Sequence, residues 1–264
     1  MRAGLISYYR TDKEKLYNFL LVSLSLVFWL SLLYYLVYAD EKEIISFLPI
    51  LAYLLLFIFI LLVSAFVFRA KAFGNMVHIN SEQFPDLYNS IVQASHRLGM
   101  DVPDAFVMNS GGLINAFAYR AFRHNYVILT SSLIDANNDE QIKFVIGHEL
   151  GHLAAGHLNL YMAILRLPAR IIPGLHSAYS RQREYTCDAI GLHLSRNLAE
   201  ASTALQMLGC GCQRLNPKLN LKAFIKQESS VPAFSGFIYE FLASHPRLTK
   251  RVIALSKLNL TDDL

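Results

Sequence analysis

The chain has 264 residues, of which 54% are hydrophobic and 17% are charged, and its formal net charge is +4. This share of charged residues is below that of an ordinary soluble domain, which indicates that part of the chain lies in lipid. The basic residues are scattered rather than gathered into a tract, so the composition argues against nucleic-acid binding. The chain has three cysteines, Cys187, Cys210 and Cys212. This number is small and odd, which argues against a disulfide scaffold and fits a reducing compartment.

Two long apolar segments lie at the start of the chain. Residues 16–38 and 44–68 contain no charged residue, and residues 39–43 form a charged turn between them. Each segment is long enough to cross a hydrocarbon core of about 30 Å as a helix. We therefore predict an amino-terminal segment, residues 1–73, that forms a transmembrane hairpin, followed by a globular domain over residues 74–264.

Basic residues flank the outer ends of this hairpin. They are Arg2, Arg10, Lys13, Lys15, Arg69 and Lys71. The turn carries only Lys42 among three acidic residues. Because basic residues favour the cytoplasmic side of a membrane, we expect the globular domain to be cytoplasmic.

The globular domain combines helical patterns with a few short strands. Ser81 is predicted to begin a helix that has one apolar face and runs to Gly99. Residues 105–108, 113–119 and 126–130 are short and rich in β-forming residues, which predicts a small mixed or antiparallel sheet. The rest of the chain reads mainly as helix. The predicted fold class is therefore α+β, a mainly helical domain with a small sheet, preceded by a two-helix transmembrane hairpin.

One predicted helix, residues 140–157, carries His148-Glu149-Leu150-Gly151-His152 and has Asn138 as its N-cap. His148 and His152 are one turn apart on the same helix face, so both imidazoles can bind one ion. Glu149 is placed to act as general base on a metal-bound water, as in the HExxH pattern. The alternative, a solvated helix with incidental histidines, is disfavoured by the apolar flanks. In this helix His157 faces elsewhere, so a third ligand must come from another element.

The segment 158–178 is apolar but interrupted. Arg166, Arg170, Pro168 and Pro173 make a spanning helix unfavourable, because each charge at the bilayer centre costs about 2.5 kcal/mol or more. Two interpretations remain: a segment at the membrane surface, or a kinked helix pair packed on the soluble domain.

Two carboxylates follow on a further predicted helix. Glu184 and Asp188 are four residues apart and share a face. Glu184 fits the missing third ligand, and Asp188 fits a carboxylate that accepts the second ring proton of a ligating histidine. The same spacing beside arginines also fits an ordinary surface ion pair. His245 lies in a predicted loop, and its position alone assigns it no role.

Several motifs in a fixed order carry a family resemblance. They are the amino-terminal hairpin, Asn115-Ala116-Phe117-Ala118, the motif from His148 to His152, Glu184-x-x-x-Asp188 and Ser244-His245-Pro246. With these residues the chain resembles the HtpX-like membrane zinc metalloproteases, relatives of the type I CAAX prenyl proteases, over residues 10–255.

The resemblance implies one Zn²⁺ per chain, held by His148, His152 and Glu184. It makes Glu149 the general base, and Asp188 the carboxylate that supports a ligand.

The resemblance also implies roles in binding substrate. His245 resembles the histidine that stabilises the oxyanion in such enzymes. Asn115 and Ala116 resemble the edge-strand residues that hold the substrate backbone in extended form. HtpX-like enzymes are expected to have further spans after the zinc helix, and the interrupted segment 158–178 departs from this pattern.

The predicted function is that of a membrane-anchored zinc endopeptidase. We expect it to hydrolyse membrane or membrane-associated proteins in protein quality control, from the cytoplasmic side of a bacterial inner membrane. Its expected partners are a protein or peptide substrate and the lipid bilayer, with no nucleic acid. The alternatives are a CAAX-type processing protease, for which two spans cannot enclose an intramembrane chamber, and a non-catalytic membrane adaptor with a zincin fold.

Overall fold

A computed structural model describes residues 2–121 and 124–258. It is mainly helical with one four-stranded sheet, which confirms the predicted α+β class. A short helix α1, Arg2–Tyr9, precedes the hairpin. Ile6 of α1 is buried in the main core of the molecule, together with residues from the sheet and the later helices. The predicted division of the chain at residue 74 stays a prediction.

The hairpin consists of α2, Asp12–Tyr38, and α3, Glu41–Asn75. Within the described ranges, these two helices are long and apolar enough to cross a membrane. Asp40 begins α3 with a capping box, because its side chain accepts from the Glu43 N–H and the Glu43 side chain accepts from the Asp40 N–H. The predicted spans lie within the two helices, whose apolar side chains are largely exposed and offer a surface for lipid.

The sheet contains β1, Val77–Ile79, β2, Asp104–Met108, β3, Ala116–Ala121, and β4, His124–Thr130. Its strand order is β1-β2-β4-β3, with β2 and β4 parallel and the other pairs antiparallel, so the sheet is mixed, which is one of the two predicted alternatives. The prediction missed β1 and started β3 three residues early. Phe106, Tyr126 and Ile128 pack on one face with the end of α3. Strand β3 is an edge strand, because in the described part of the chain it pairs only with β4.

Helix α4, Pro85–Arg97, begins later than predicted. Phe84 precedes it in the left-handed region, with φ 63°, and Pro85 occupies the first turn. Proline is well suited to that position because it lacks the N–H that would be unsatisfied there. The predicted start at Ser81 is therefore wrong.

The other helices form the body of the domain around α6, Asp139–Ala154. They are α5, Ser131–Ala136, α7, Leu160–Leu165, α8, Leu175–Ser195, α9, Leu198–Cys210, α10, Leu221–Gln227, α11, Ala233–Leu242, and α12, Leu248–Leu255. Short 3₁₀ turns occupy Pro168–Ile171, Gln213–Lys218 and Glu228–Ser230.

The two ends of α6 are set by local interactions. Asn138 caps the amino end and forms a capping box with Gln141, as predicted. At the carboxyl end Gly156 has φ 71°, its N–H donates to Leu153 O, and the His157 N–H donates to His152 O. This is a Schellman motif, which ends the helix. The prediction that the helix continues to His157 is wrong, and the turn sends that residue back toward the helix.

Helices α6 and α8 cross at two glycines. A Cβ atom on Gly147 would lie 3.0 Å from Gly191 Cα, and one on Gly191 would lie 2.9 Å from Phe144 O. The backbones are therefore in direct contact at this crossing. This close approach brings the histidines of α6 next to the carboxylates of α8.

The segment 158–178 does not form a spanning helix. It comprises α7, the first 3₁₀ turn and the start of α8, and it packs along α2. Trp29 Nε1 donates to Leu165 O at 3.1 Å, and the Ala169 N–H donates to Ser25 Oγ at 3.1 Å. Arg166 is buried over the ring of Tyr179, 4.9 Å from its centre. The segment is interrupted as predicted, and its described contacts tie it to the first hydrophobic helix.

Candidate metal centre

The side chains of His148, His152 and Glu184 converge between α6 and α8. His148 Nε2 lies 3.6 Å from Glu184 Oε2, and His152 Nε2 lies 3.5 Å from Glu184 Oε1. All three residues are buried. Each offers one ligand atom, and these atoms lie within 4.8 Å of one another. The structure therefore brings together the three residues that were predicted as metal ligands.

The donor set fits a small divalent cation. At 3.5 and 3.6 Å the atoms are too far apart for good hydrogen bonds between the histidines and the carboxylate. Tetrahedral coordination with bonds of 2.0–2.2 Å places neighbouring ligand atoms about 3.3–3.6 Å apart. Two imidazole nitrogens and a carboxylate oxygen leave one position open, which is the arrangement of catalytic zinc sites.

Asp188 supports His148 and is itself held by Arg251. His148 Nδ1 lies 2.9 Å from Asp188 Oδ1, so the Nε2 lone pair is free for a metal. Arg251 donates to both Asp188 oxygens, Nη2 to Oδ1 at 2.6 Å and Nε to Oδ2 at 2.8 Å. Burial alone would raise the pKa of Asp188, but the charge of Arg251 lowers it below its usual range. Glu184 and Asp188 are both buried, which excludes the surface ion pair.

Arg251 was missed in the sequence. This residue is buried in α12, and its Nη1 also lies 3.4 Å from Glu184 Oε2. One signal could have found it: Arg251 shares a helix face with Leu248, Val252 and Leu255, which are apolar. A charge on the apolar face of a short helix predicts a buried partner.

Glu149 is buried between α6 and the edge strand β3. Its Oε2 accepts the N–H of Ala118 at 2.7 Å. Burial raises the pKa of Glu149, although the neighbouring His148 and the Ala118 N–H oppose this shift. A carboxyl with a raised pKa beside a metal site is suited to accept and return a proton near neutral pH.

The open edge of β3 faces this carboxyl group. The Asn115 N–H donates to Thr130 Oγ1 and Asn115 O accepts from the Thr130 N–H, so the main chain of Asn115 faces β4. Main-chain groups in a strand alternate in direction. Those of Ala116 therefore point to the open edge, as does the Ala118 N–H that reaches Glu149. The main-chain groups of the predicted residues Asn115 and Ala116 therefore point to opposite sides of this part of the chain.

The structure also brings His245 to this centre from the loop between α11 and α12. Its Nδ1 lies 3.1 Å from Glu184 Oε2, and its side chain is 67% exposed. Burial would raise the pKa of Glu184, but the neighbouring His148, His245 and Arg251 hold it well below its usual range. His245 therefore lies at the boundary between the centre and solvent.

His157 was predicted to face away, and the structure places it against His152. The two Nδ1 atoms are 3.1 Å apart, because the turn at Gly156 reverses the chain after α6. His157 Nε2 lies 3.2 Å from Glu14 Oε1 at the start of α2. The glycine four residues after His152 was the available signal for this turn.

Comparison with known proteins assigns the family. The model of peptidase family M48 matches residues 80–169 and 159–259, which together make up more than half of the chain and include this centre. The chain belongs to peptidase family M48. Its M48 relatives include HtpX homologues, so the predicted resemblance to HtpX-like membrane metalloproteases is confirmed.

Two curated relatives illustrate the extent of the match. The plastoglobule-localized metallopeptidase 48 of Arabidopsis thaliana is 27% identical over 171 residues, 60% of this chain and 49% of that protein. A protease HtpX homolog of Bordetella petrii is 27% identical over 216 residues, 66% of this chain and 71% of that protein. This M48 chain thus matches about half the length of the Arabidopsis relative.

A solved structure shares the fold. The crystal structure of Ste24p from S. mikatae aligns with this M48 chain at a TM-score of 0.55 and 19% identity. The alignment covers 93% of this chain and 66% of the Ste24p chain. At this identity the likeness supports the fold alone.

Proposed function

We propose that the protein is a zinc-dependent endopeptidase anchored in the membrane by α2 and α3. The observation that carries the proposal is the convergence of His148, His152 and Glu184 with Glu149 beside them. The three ligand residues would hold one zinc ion per chain. Bound there, zinc would act as a Lewis acid that lowers the pKa of water and polarises a carbonyl.

The remaining chemistry is proposed for the protein's own side chains. Glu149 accepts a proton from the attacking water and returns it to the leaving amine. The exposed ring of His245 donates to the developing oxyanion of the substrate. Asp188, held by Arg251, keeps the His148 ring in the tautomer whose Nε2 is free.

Substrate binding is proposed along the open edge of β3. Ala116 would pair through its main chain with an extended peptide, as in β-strand addition. The main-chain groups of Asn115 are hydrogen-bonded to Thr130, so Asn115 would contact the substrate through its side chain. Such main-chain pairing tolerates many substrate sequences, which suits a role in the quality control of membrane or membrane-associated proteins.

The first test measures zinc and proteolysis in the full-length protein in detergent. We expect one zinc per chain, cleavage of unfolded casein, loss of cleavage with a strong chelator and its return when zinc is added back. Zinc without cleavage of casein or of a membrane-protein substrate would favour the non-catalytic adaptor. Absence of zinc from the folded protein would refute the metal centre.

We propose that the protease domain faces the cytoplasm of a bacterium and that the hairpin crosses the inner membrane. Lys257, after α12, and Glu41, at the start of α3, are both exposed, and the proposed topology places them on opposite sides of the membrane. In a variant with Cys210 and Cys212 replaced by serine, a cysteine at position 41 should react with an impermeant maleimide in intact spheroplasts. A cysteine at position 257 should react only after lysis. The reverse labelling would contradict the proposed orientation.

A further inference from the structure

A buried carboxylate lies at the start of the first hydrophobic helix. Glu14 is only 1% exposed and lies in the first turn of α2. A buried charge needs partners, and three side chains among the described residues contact Glu14. Thr186 Oγ1 donates to its Oε2 at 2.5 Å, Arg10 Nε lies 3.1 Å from its Oε1, and His157 Nε2 lies 3.2 Å from the same Oε1.

This carboxylate is connected to a candidate zinc ligand through His157. With its Nε2 bound to a metal, His152 must carry its ring proton on Nδ1. His157 Nδ1, at 3.1 Å, then accepts that proton in a hydrogen bond, and its own Nε2–H donates to Glu14. The donors and acceptors match along the whole path, and the path ends on a negative charge.

We propose that Glu14 and His157 are positioning residues for the zinc ligand His152. They would hold its ring in one tautomer and one orientation, as Asp188 does for His148. The inference rests on the proposed function, because it assigns His152 to zinc. It also makes the cytoplasmic end of the first hydrophobic helix part of the metal centre.

A second metal site is the competing interpretation of the same contacts. His152, His157 and Cys187 also offer ligand atoms within 4.8 Å of one another. Cys187 Sγ lies 3.6 Å from His157 Nδ1 in a fully buried place. Burial raises the pKa of this thiol well above its usual value, which opposes the thiolate that a metal would need. A second ion would also take the Nδ1 proton of His152, so the hydrogen-bonded path accounts for the contacts better.

The test measures zinc affinity in the full-length protein by competition with a chelator. Glu14→Gln removes the terminal charge, and His157→Leu removes both the acceptor for the His152 ring proton and the donor to Glu14. Each variant should raise the zinc Kd about 10- to 100-fold. The zinc Kd of the double variant should be no higher than that of the single variant with the higher Kd, because both changes break one path. Asp12→Asn is the matched control, since its carboxylate is 97% exposed in the same turn, and it should leave the Kd unchanged.

Thermal melting of the metal-free forms identifies folded variants, and either folded single variant decides the question. Three results would refute the path from Glu14 through His157 to His152. They are an unchanged zinc Kd in the single variants, fold-changes in Kd that multiply in the double variant, and two zinc ions per wild-type chain. Because the readout is zinc affinity, an unchanged Kd leaves the protease proposal intact. Conversely, the wild type could bind zinc but cleave no substrate while both variants bind zinc more weakly. That result would support the path from Glu14 to His152 and would refute the proposed protease activity.

Discussion

Replacing Glu149 with glutamine is expected to retain zinc and abolish peptide hydrolysis. Glutamine keeps the size of the side chain and can still accept the Ala118 N–H, but it cannot take a proton from water. Loss of a general base costs about 10²- to 10⁴-fold in rate, so we expect casein cleavage to fall by at least this factor. Zinc per chain and the rate of cleavage are measured on the same preparation.

Glu140→Gln is the matched control for this change. Glu140 lies in the first turn of the same helix, where it pairs with Lys143 at 2.6 Å and is 43% exposed. Its substitution should alter neither zinc content nor cleavage. Undiminished cleavage by Glu149→Gln would refute its assignment as the base, and loss of zinc from it would show that Glu149 also supports the metal.

Replacing Glu184 with alanine is expected to remove both the metal and the activity. Glu184 is the only candidate ligand that α8 contributes to the group with His148 and His152 in the described part of the chain. Two imidazoles alone bind zinc more weakly than the three protein ligands of a catalytic site. We therefore expect zinc to fall from one per chain to a small fraction after dialysis, with no measurable cleavage.

The fold of the Glu184→Ala variant must be checked, because Arg251 loses a negative neighbour 3.4 Å away. Arg251 keeps its two hydrogen bonds to Asp188, so the metal-free variant should still melt cooperatively. Glu82→Ala, in an exposed loop before α4, is the control and should retain zinc and activity. Full zinc occupancy in Glu184→Ala would show that the third ligand is another residue.

Local sequence predicted the parts of the centre that depend on one helix. The spacing of His148 and His152 places both rings on one face wherever the helix lies, and Asn138 with Gln141 begins that helix in the structure as in the prediction. The two hydrophobic helices could also be predicted from the sequence, because their length and lack of charge depend only on composition.

Other parts of the site depend on chain reversals that short patterns describe poorly. His157 was assigned to the wrong face because the Schellman turn at Gly156 was not recognised. Strand β1 has only three residues, too few for an alternating pattern to stand out. The start of α4 was misplaced because Phe84 adopts a left-handed conformation that its residue type does not suggest.

The sequence by itself determined the two hydrophobic helices, the pair of histidines with Glu149 between them, and the candidate carboxylates of α8. Only the tertiary structure decided that Glu184 and Asp188 are buried at the histidines rather than paired at the surface, because this depends on the backbone contact of α6 and α8 at Gly147 and Gly191. It also brought Arg251 and Glu14 to the centre across long separations in the chain. Hydrophobic periodicity specifies which face of each element is buried, whereas the polar partners that meet there depend on how all the elements pack.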